Sequence, residues 1–388
     1  MKILISSLHY PPVIGGFEIF TQNVAEKVGK IDDVFVVTCR VINTPKNEIK
    51  DKLKIFRTSP QLLKDLSYSN SKFIFGSMIW IFFKSWRLIK KEKIELVHAQ
   101  GFLSGILCYL LKKLTKVPYV ITIQSADFSV YHHNLNFKPI IKFYEKLENA
   151  IFKNAIFCHT ISKHLEKHFQ RYDVKGTIVI PNGVDIEKFI FDSNKMQTRK
   201  DLGYDTKNLI VCVSRLEHKN GTHDLIEAAN YLKNDIDDFK IVVCGSGSQK
   251  EELEKMIKKF GLEEKIFLLG SVLYTKIPQY MAMADVFIRP SLAEGFGNVF
   301  IEAMAAGAAV IGTPVGGIVD FLRDRETGVF CEPGNPKDIA EKIKLVLTDK
   351  ELAQRIIRQG SQMARDVYSW NIIAKQVRGL YLRVLKMK

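Results

Sequence analysis

The chain has 388 residues, of which 46% are hydrophobic and 26% are charged. This composition is typical of a soluble globular protein. The chain is too long for a single ordinary hydrophobic core, so two domains are predicted. The net charge is +15, and residues 1–180 carry 27 Lys and Arg against 14 Asp and Glu, so we expect the first half to meet an anionic surface.

Neither a secretory signal nor a membrane span is predicted. Met1 leads directly into a strand-like run, without a basic leader or a cleavage site. The most hydrophobic window, Phe73–Phe83, is about half of the roughly 20 apolar residues that a membrane helix needs. The six cysteines lie far apart without a CxxC pair, which favours buried free thiols in a reducing compartment. We therefore expect a cytoplasmic protein.

In chain order, short β-branched runs alternate with longer amphipathic stretches. The first half contains predicted strands at Ile3–Leu8, Val34–Cys39, Leu96–Ala99, Tyr119–Ile123, Ala155–Ile161 and Thr177–Ile180, with helices such as Phe17–Val28 and Pro139–Phe152. The second half repeats the scheme at Leu209–Ser214, Lys240–Cys244, Lys265–Leu269, Val286–Arg289, Ala309–Thr313 and Val329–Cys331. This alternation predicts α/β domains with doubly wound parallel sheets, covered by helices on both faces.

The two series meet at Pro181–Gly183, where proline and glycine end the last strand of the first sheet. We therefore predict an N-terminal domain of residues 1–183 and a second domain that begins at residue 184. In such sheets, ligands bind beyond the carboxyl ends of the strands. With two domains facing each other, the site is expected in a central cleft between them.

The most informative stretch runs from Arg289 to Gly307. A predicted strand ends at Arg289, a glycine-bearing loop follows, and a helix is predicted from about Asn298 to Gly307, with a left-handed cap at its end. Glycine lets the backbone approach a ligand closely. The helix dipole and the first amides suit a diphosphate, and these amides belong to Gly297, Asn298 and Val299.

Two glutamates flank the start of this helix. A carboxylate that faces a phosphate is repulsive, so we expect Glu294 to hold a sugar hydroxyl and Glu302 to hold the ribose. The alternative is that Glu294 is an ordinary loop acid and that Glu302 lies on a solvated helix face.

These residues resemble those of the retaining glycosyltransferases of family 4. Glu294 and Glu302 form the E-x7-E pattern of those enzymes, within EGFGNVFIEAMAAGAAVIGTPVGG. Further similar segments are Pro11–Glu18, Ile180–Asp185, Ser214–Gly221 and Tyr368–Trp370. The resemblance covers nearly the whole chain. It implies the GT-B fold, with two facing Rossmann-like domains: 1–183 for the acceptor, 184–367 for the nucleotide sugar, and a helix at 368–388 that crosses back.

The resemblance also implies an enzyme. It would transfer a hexosyl group, with retention, from a UDP- or GDP-linked sugar to a glycan or lipid-linked acceptor, in surface polysaccharide or glycolipid synthesis. No metal or other cofactor is implied. No second carboxylate is evident as a nucleophile, so the implied route is front-face transfer, in which the leaving phosphate oxygen takes the acceptor proton.

Positive charge must stabilise the leaving diphosphate, and Arg215 can supply a bidentate clamp. The family usually has a lysine five positions later, directly before a glycine. This chain has Asn220 there and Lys219 one residue earlier. Either Lys219 serves as the cation or Asn220 donates a neutral hydrogen bond.

The expected site residues fall into three groups. Catalytic roles are predicted for Arg215, Lys219 and Glu294. Donor binding is predicted for Gly16, Asn220, Gly295, Phe296, Gly297, Asn298, Val299 and Glu302. Acceptor or sugar contact is predicted for Gly15, His98, Gln124 and Asp127. Gln124 stands where the family frequently has histidine, which argues against a histidine role, and His98 could equally be a structural histidine.

The stretch Lys72–Lys93 carries aromatic residues among lysines and arginine. Such a helix could lie on an anionic membrane, which predicts peripheral attachment to the inner face of the plasma membrane. The alternative is a core-facing helix with solvated lysines.

Three other functions were compared with transfer. A nucleotide-sugar-binding protein without turnover and a 2-epimerase of the same architecture both remain open. Binding to nucleic acid through the basic half is not expected, because no recognised module is present.

Overall fold

A computed structural model describes residues 1–13, 15–58, 71–124, 138–190 and 195–387, without the side chains of 71–75 and 138–140. The chain divides into two compact units. Unit 1 comprises Met1–Asn182 and Trp370–Lys388, and unit 2 comprises Gly183–Ser369. The C-terminal segment therefore belongs to the unit formed by the N-terminal half.

Unit 1 contains one eight-stranded sheet. Its strands are β1 (Lys2–Ser7), β2 (Asp33–Thr38), β3 (Asn47–Lys50), β4 (Leu53–Arg57), β5 (Leu96–Gln100), β6 (Tyr119–Ile123), β7 (Cys158–Thr160) and β8 (Thr177–Val179). The strand order is β3-β4-β2-β1-β5-β6-β7-β8, and every pair is parallel except β3 with β4. The central strands are apolar and almost fully buried because helices cover both faces.

Within the described part of Met1–Asn182, unit 1 also contains five helices. They are α1 (Gly16–Val28), α2 (Ser71–Glu92), α3 (Gly101–Thr115), α4 (Lys138–Asn154) and α5 (Lys163–Lys167). Helices α2, α3 and α4 share one core cluster with the sheet, to which Ile81, Leu107 and Phe152 contribute. Helix α1 packs in a separate cluster through Phe20 and Val24.

Unit 2 contains a six-stranded, fully parallel sheet. Its strands are β9 (Asn208–Val213), β10 (Phe239–Cys244), β11 (Ile266–Leu268), β12 (Val286–Arg289), β13 (Ala309–Gly312) and β14 (Val329–Phe330), in the order β11-β10-β9-β12-β13-β14. Its helices are α6 (Ile186–Phe189), α7 (Lys195–Asp201), α8 (Thr222–Leu232), α9 (Lys250–Lys259), α10 (Ile277–Met283), α11 (Asn298–Ala305), α12 (Pro336–Thr348) and α13 (Lys350–Tyr368). The predicted class of two doubly wound parallel-sheet domains is confirmed.

The last helix, α14 (Trp370–Lys386), packs with α1 in unit 1. Trp370 meets Phe20 with ring centroids 6.0 Å apart. Arg378 Nε donates to Asp32 Oδ2 at 2.6 Å, and the other carboxylate oxygen of Asp32 pairs with the N-terminal amine. A buried apolar face and an ion pair thus attach the end of the chain to its beginning.

Two predictions from composition can be compared with this fold. All six cysteines are free and buried, as expected. Within the described ranges, no helix is both long and apolar enough to cross a membrane.

Candidate active site

The carboxyl ends of four neighbouring strands in unit 2 carry loops that are hydrogen-bonded to one another. Ser214, after β9, donates its backbone N–H to the carbonyl of Cys244, at the end of β10 (3.0 Å). Leu292, after β12, donates to the carbonyl of Lys219 (2.8 Å). Thr313 Oγ1, after β13, donates to the carbonyl of Ser291 (2.6 Å). One continuous surface of loops therefore borders this edge, which is where parallel sheets bind ligands.

Glycines bring these loops into direct backbone contact. A Cβ on Gly221 would collide with the carbonyl of Pro290, and one on Gly316 with the carbonyl of Glu294. A Cβ on Gly245 or Gly247 would collide with the backbone of residues 214–216. The segment 244–249, which follows β10, is thus packed directly against the loop that carries Arg215.

Asn220 supports that loop from within. Its side chain donates from Nδ2 to the carbonyl of Arg215 at 2.7 Å, and the residue is 6% exposed. Arg215 and Lys219 both have exposed side chains. Of the two alternatives for the second cation, Lys219 presents its charge to solvent. The amide of Asn220 holds the backbone of its own loop, and its role as a donor contact stays a prediction.

Glu294 is held at both carboxylate oxygens. Oε1 accepts a hydrogen bond from the N–H of Gly295 at 2.9 Å, and Oε2 pairs with Nη2 of Arg289. The side chain is 18% exposed. These contacts contradict the alternative that Glu294 is an ordinary loop acid.

Helix α11 begins at Asn298, as predicted, and Gly307 follows it in the predicted left-handed conformation. Gly297 caps its N-terminus with φ 94°. Val299 and Asn298 are half-buried at the helix start. The backbone that was predicted to face a diphosphate is therefore at the carboxyl edge of the sheet.

Phe296 has its ring buried in the core of unit 2. The residue is 2% exposed, and its ring centroid is 5.4 Å from that of Phe321 and 6.0 Å from that of Tyr368. An apolar ring gains most from burial, and the donor contact predicted at Phe296 stays a prediction.

Glu302 is buried one turn into α11. It is 6% exposed, and Tyr274 Oη donates to its Oε1 at 2.8 Å. Burial raises the pKa of Glu302 to about 7, although the hydrogen bond from Tyr274 and the charge of Arg289 lower it. The solvated-face alternative is therefore wrong. Tyr274 was missed because it lies in a loop after β11, with no spacing that relates it to Glu302.

Arg289 was also missed as a functional residue. It ends β12, its Nε donates to Ser291 Oγ at 2.9 Å, and its guanidinium lies 5.2 Å from the centre of the Phe300 ring. Burial lowers the pKa of Arg289 to about 10, and the charges of Arg215 and Glu302 also act on it. The available signal was an arginine at a strand end, five residues before the first glutamate of the motif.

In unit 1, Gly15 and Gly16 stand at the start of α1. A carboxyl oxygen of Glu18 lies where a Cβ on Gly15 would be, so the Glu18 side chain folds back onto the start of the helix. Glu18 is 5% exposed, and burial raises its pKa. A carboxylate at a helix N-terminus offsets the positive end of the dipole. This loop is consequently better suited to neutral hydroxyl groups than to a diphosphate.

His98 is fully buried with both ring nitrogens bonded. Nδ1 lies 2.6 Å from Tyr381 Oη, and Nε2 lies 2.6 Å from Thr122 Oγ1, which in turn contacts His159 Nδ1. Burial holds the pKa of His98 well below its usual value. The structural alternative applies, which corrects its predicted role as an acceptor or sugar contact.

The remaining predicted contacts of unit 1 are Gln124 and Asp127. Gln124 is half-buried, and its Oε1 accepts a hydrogen bond from Asn182 Nδ2 at 3.4 Å. Asp127 lies outside the described residues.

Both halves of the chain are similar to known glycosyltransferase families. The sequence model of "Glycosyl transferases group 1" matches residues 194–363, and that of "Glycosyltransferase Family 4" matches residues 14–188. An uncharacterized glycosyltransferase of Methanocaldococcus jannaschii is 27% identical, over 100% of this chain and 99% of its own.

Two solved structures share the fold. The sucrose-phosphate synthase of Thermosynechococcus elongatus has a TM-score of 0.81 at 22% identity, over 100% of both chains. HepE of Anabaena in complex with UDP-glucose has a TM-score of 0.76 at 20% identity, over 99% of this chain and 100% of its own. The two family matches cover both units in order, and the fold agrees with them. The chain therefore belongs to the group 1 glycosyltransferases of family 4 and has their GT-B fold, with two parallel-sheet Rossmann-like domains.

Proposed function

We propose that this chain is a retaining hexosyltransferase that uses a UDP- or GDP-linked sugar and needs no metal or other cofactor. The observation that carries the proposal is the loop surface of unit 2, where the loop that carries Arg215 is hydrogen-bonded to the loop that carries Glu294 and leads into α11, with Glu302 buried one turn into that helix. The binding of UDP-glucose by HepE, a protein of the same fold, supports a nucleotide sugar as the donor.

Each group at this edge has a chemical task. Arg215 and Lys219, with the N-terminus of α11, stabilise the negative charge that develops on the leaving diphosphate. Glu294 accepts a hydrogen bond from a sugar hydroxyl, and Glu302 accepts one from the ribose. In a front-face transfer, the leaving phosphate oxygen takes the proton of the acceptor, so these residues act by positioning and charge stabilisation.

A thermal-shift screen against UDP, GDP, ADP and their common sugar conjugates, with chelator present, tests the donor site. One nucleotide should raise the melting temperature by mass action. Arg215→Ala and Glu302→Gln should lose that rise, and Arg323→Ala should keep it because Arg323 is exposed in unit 2. A folded protein that no nucleotide stabilises would refute the proposal and favour a different ligand.

Retention has its own test. NMR of the product formed from an α-linked donor should show an α-glycosidic linkage, and a β-linkage would overturn this part of the proposal. Donor binding without transfer to any acceptor would favour the binding protein without turnover, and loss of the sugar's 2-configuration would favour the epimerase.

We further propose that the acceptor is a glycan or a lipid-linked glycan at an anionic membrane, met from the cytoplasmic side. Helices α2, α3 and α4 lie side by side on one face of unit 1. Their outer sides expose large apolar residues, namely Ile79 (58%), Trp80 (51%), Phe83 (57%), Leu110 (43%), Leu114 (63%) and Phe143 (63%). Among these stand exposed cations, namely Arg87, Lys90, Lys91, Lys113, Lys116, Lys142 and Lys146.

This three-helix face, defined by those residues, combines the two features of a peripheral membrane surface. Apolar side chains enter the headgroup region, and cations near an anionic surface contribute about 1 kcal/mol each. Helix α2 also has a core side, with Ile81 and Leu88 buried. The two alternatives from the sequence thus describe opposite sides of one helix.

Sedimentation with vesicles tests this attachment. The chain should bind phosphatidylglycerol vesicles at low salt and phosphatidylcholine vesicles at least tenfold more weakly. The double variant Trp80→Ser/Phe83→Ser should bind weakly, whereas Ile31→Ser, at an apolar residue that is 54% exposed elsewhere on unit 1, should bind normally. Failure of the wild type to sediment at low salt would exclude the membrane surface as a partner.

A further inference from the structure

Arg289 is fixed by three separate contacts. Its Nε donates to Ser291 Oγ at 2.9 Å, its Nη2 pairs with Glu294, and its guanidinium lies 5.2 Å from the ring centre of Phe300. The side chain is 10% exposed. An arginine this enclosed has one orientation, because its planar donors match the carboxylate and the hydroxyl together.

Glu294 depends on that orientation. One carboxylate oxygen is held by the N–H of Gly295 and the other by Arg289. The backbone of Glu294 is held as well, since its carbonyl accepts from the N–H of Gly317 at 3.3 Å and abuts Gly316. Loss of the guanidinium would leave a mostly buried carboxylate with a single hydrogen bond, and such a group turns or takes up a proton.

Arg289 is not placed to bind the diphosphate itself. Its charge is balanced by Glu294, and the side chain is enclosed by Ser291 and Phe300. Arg215 and Lys219 are exposed cations near this edge. The effect of Arg289 on a donor must therefore pass through Glu294.

We propose that Arg289 is a positioning residue that orients Glu294 toward the transferred sugar, and so sets the preference for the nucleotide sugar over the free nucleotide. The proposal rests on the function proposed above, in which Glu294 meets a sugar hydroxyl. It predicts a specific loss: the sugar conjugate binds more weakly and the free nucleotide binds as before.

Calorimetric titration with UDP and UDP-glucose, or with GDP and GDP-mannose if that pair stabilises the wild type, measures this preference. Arg289→Gln and Glu294→Gln should each reduce the ratio of the two affinities about tenfold and leave the affinity for free nucleotide within twofold. The double variant should lose no more than Glu294→Gln alone, because both changes remove the same interaction. Additive losses, or an unchanged ratio in Arg289→Gln, would overturn the proposal.

Two milder variants keep the test valid if Arg289→Gln does not fold. Ser291→Ala removes the bond to Nε, and Arg289→Lys keeps the charge without the planar fork. Both should lower the ratio, by less than Glu294→Gln does. The positioning role would be refuted if Ser291→Ala and Arg289→Lys both kept the wild-type ratio of affinities while Glu294→Gln reduced it. Arg323→Gln, at an exposed pair with Glu326, is the control. Absence of binding by the wild type would instead count against the proposed function.

Discussion

Glu302→Gln is expected to stabilise unit 2 above neutral pH. Burial raises the pKa of Glu302 to about 7 from its usual value of 4.5. The folded protein therefore holds a proton that the unfolded chain releases between these two values. The contribution of Glu302 to the free energy of unfolding is most favourable below about pH 4.5. It falls as the pH rises and reaches its lowest value above about pH 7. At about 1.4 kcal/mol per pKa unit, the loss is about 3.5 kcal/mol.

Glutamine is nearly isosteric with protonated glutamate and still accepts a hydrogen bond from Tyr274. The variant should match the wild type in free energy of unfolding near pH 4.5 and exceed it by up to about 3.5 kcal/mol at pH 8. Urea unfolding followed by circular dichroism between pH 4.5 and 8 measures this difference. Trp80, Trp86 and Trp370 all lie in unit 1, so tryptophan fluorescence should show no change and serves as the control. A variant that keeps the wild-type fall in stability would refute the assigned cause.

Three other substitutions test the loops and the terminal helix. Gly316 has φ 57°, and Gly316→Ala would place a Cβ against the carbonyl of Glu294. The free energy of unfolding should fall by well over the roughly 1–2 kcal/mol that a left-handed alanine costs, and nucleotide binding should be abolished. Gly307→Ala, at φ 78° with no atom within 4 Å of the new Cβ, should lose only that conformational cost in thermal melts. Asn220→Ala should weaken nucleotide binding and cost about 0.5–1.5 kcal/mol of stability by removing one of the three hydrogen bonds that the carbonyl of Arg215 accepts; unchanged calorimetric affinity would contradict the support assigned to Asn220. Asp32 is partly buried, which raises its pKa, yet Arg378 and the terminal amine hold the pKa below its usual value, so the stability of unit 1 should fall as acid protonates this group. Arg378→Ala should lower that stability by about 1–3 kcal/mol and flatten its acid dependence in fluorescence-monitored unfolding, whereas Lys27→Ala, at an exposed contact with Asn371, should do neither.

The buried parallel strands could be predicted from sequence because each is a short apolar run between polar segments. Strands β3 and β4 were missed for the opposite reason. All four residues of β3 are exposed, and β4 alternates between buried and half-buried positions. Strand β3 lies at the edge of the sheet and carries no hydrophobic pattern, whereas β4 lies between β3 and β2 and alternates over only five residues.

At the site, sequence reasoning located the loop and the helix but not the direction of each side chain. The spacing of Glu294 and Glu302 and the bounds of α11 are local properties, set by glycine and by helix caps. The partner of Glu302 comes from another loop, and Asn220 turns inward to bond the backbone of its own loop. Those side-chain orientations depend on tertiary packing between distant segments, and such contacts leave no periodic pattern in the sequence. His98 shows the same limit, because its partner Tyr381 lies at the other end of the sequence.

The glycine contacts between the loops of unit 2 have a consequence for evolution and engineering. Gly221, Gly245, Gly247 and Gly316 each abut a carbonyl of an adjoining loop, and a carbonyl is the same whichever amino acid supplies it. Mutations that alter neighbouring side chains can therefore accumulate without shifting the framework, whereas replacement of any of these glycines disrupts it. A library that seeks a new sugar specificity should keep the four glycines constant and diversify the exposed positions around them, such as Leu273 and Val319.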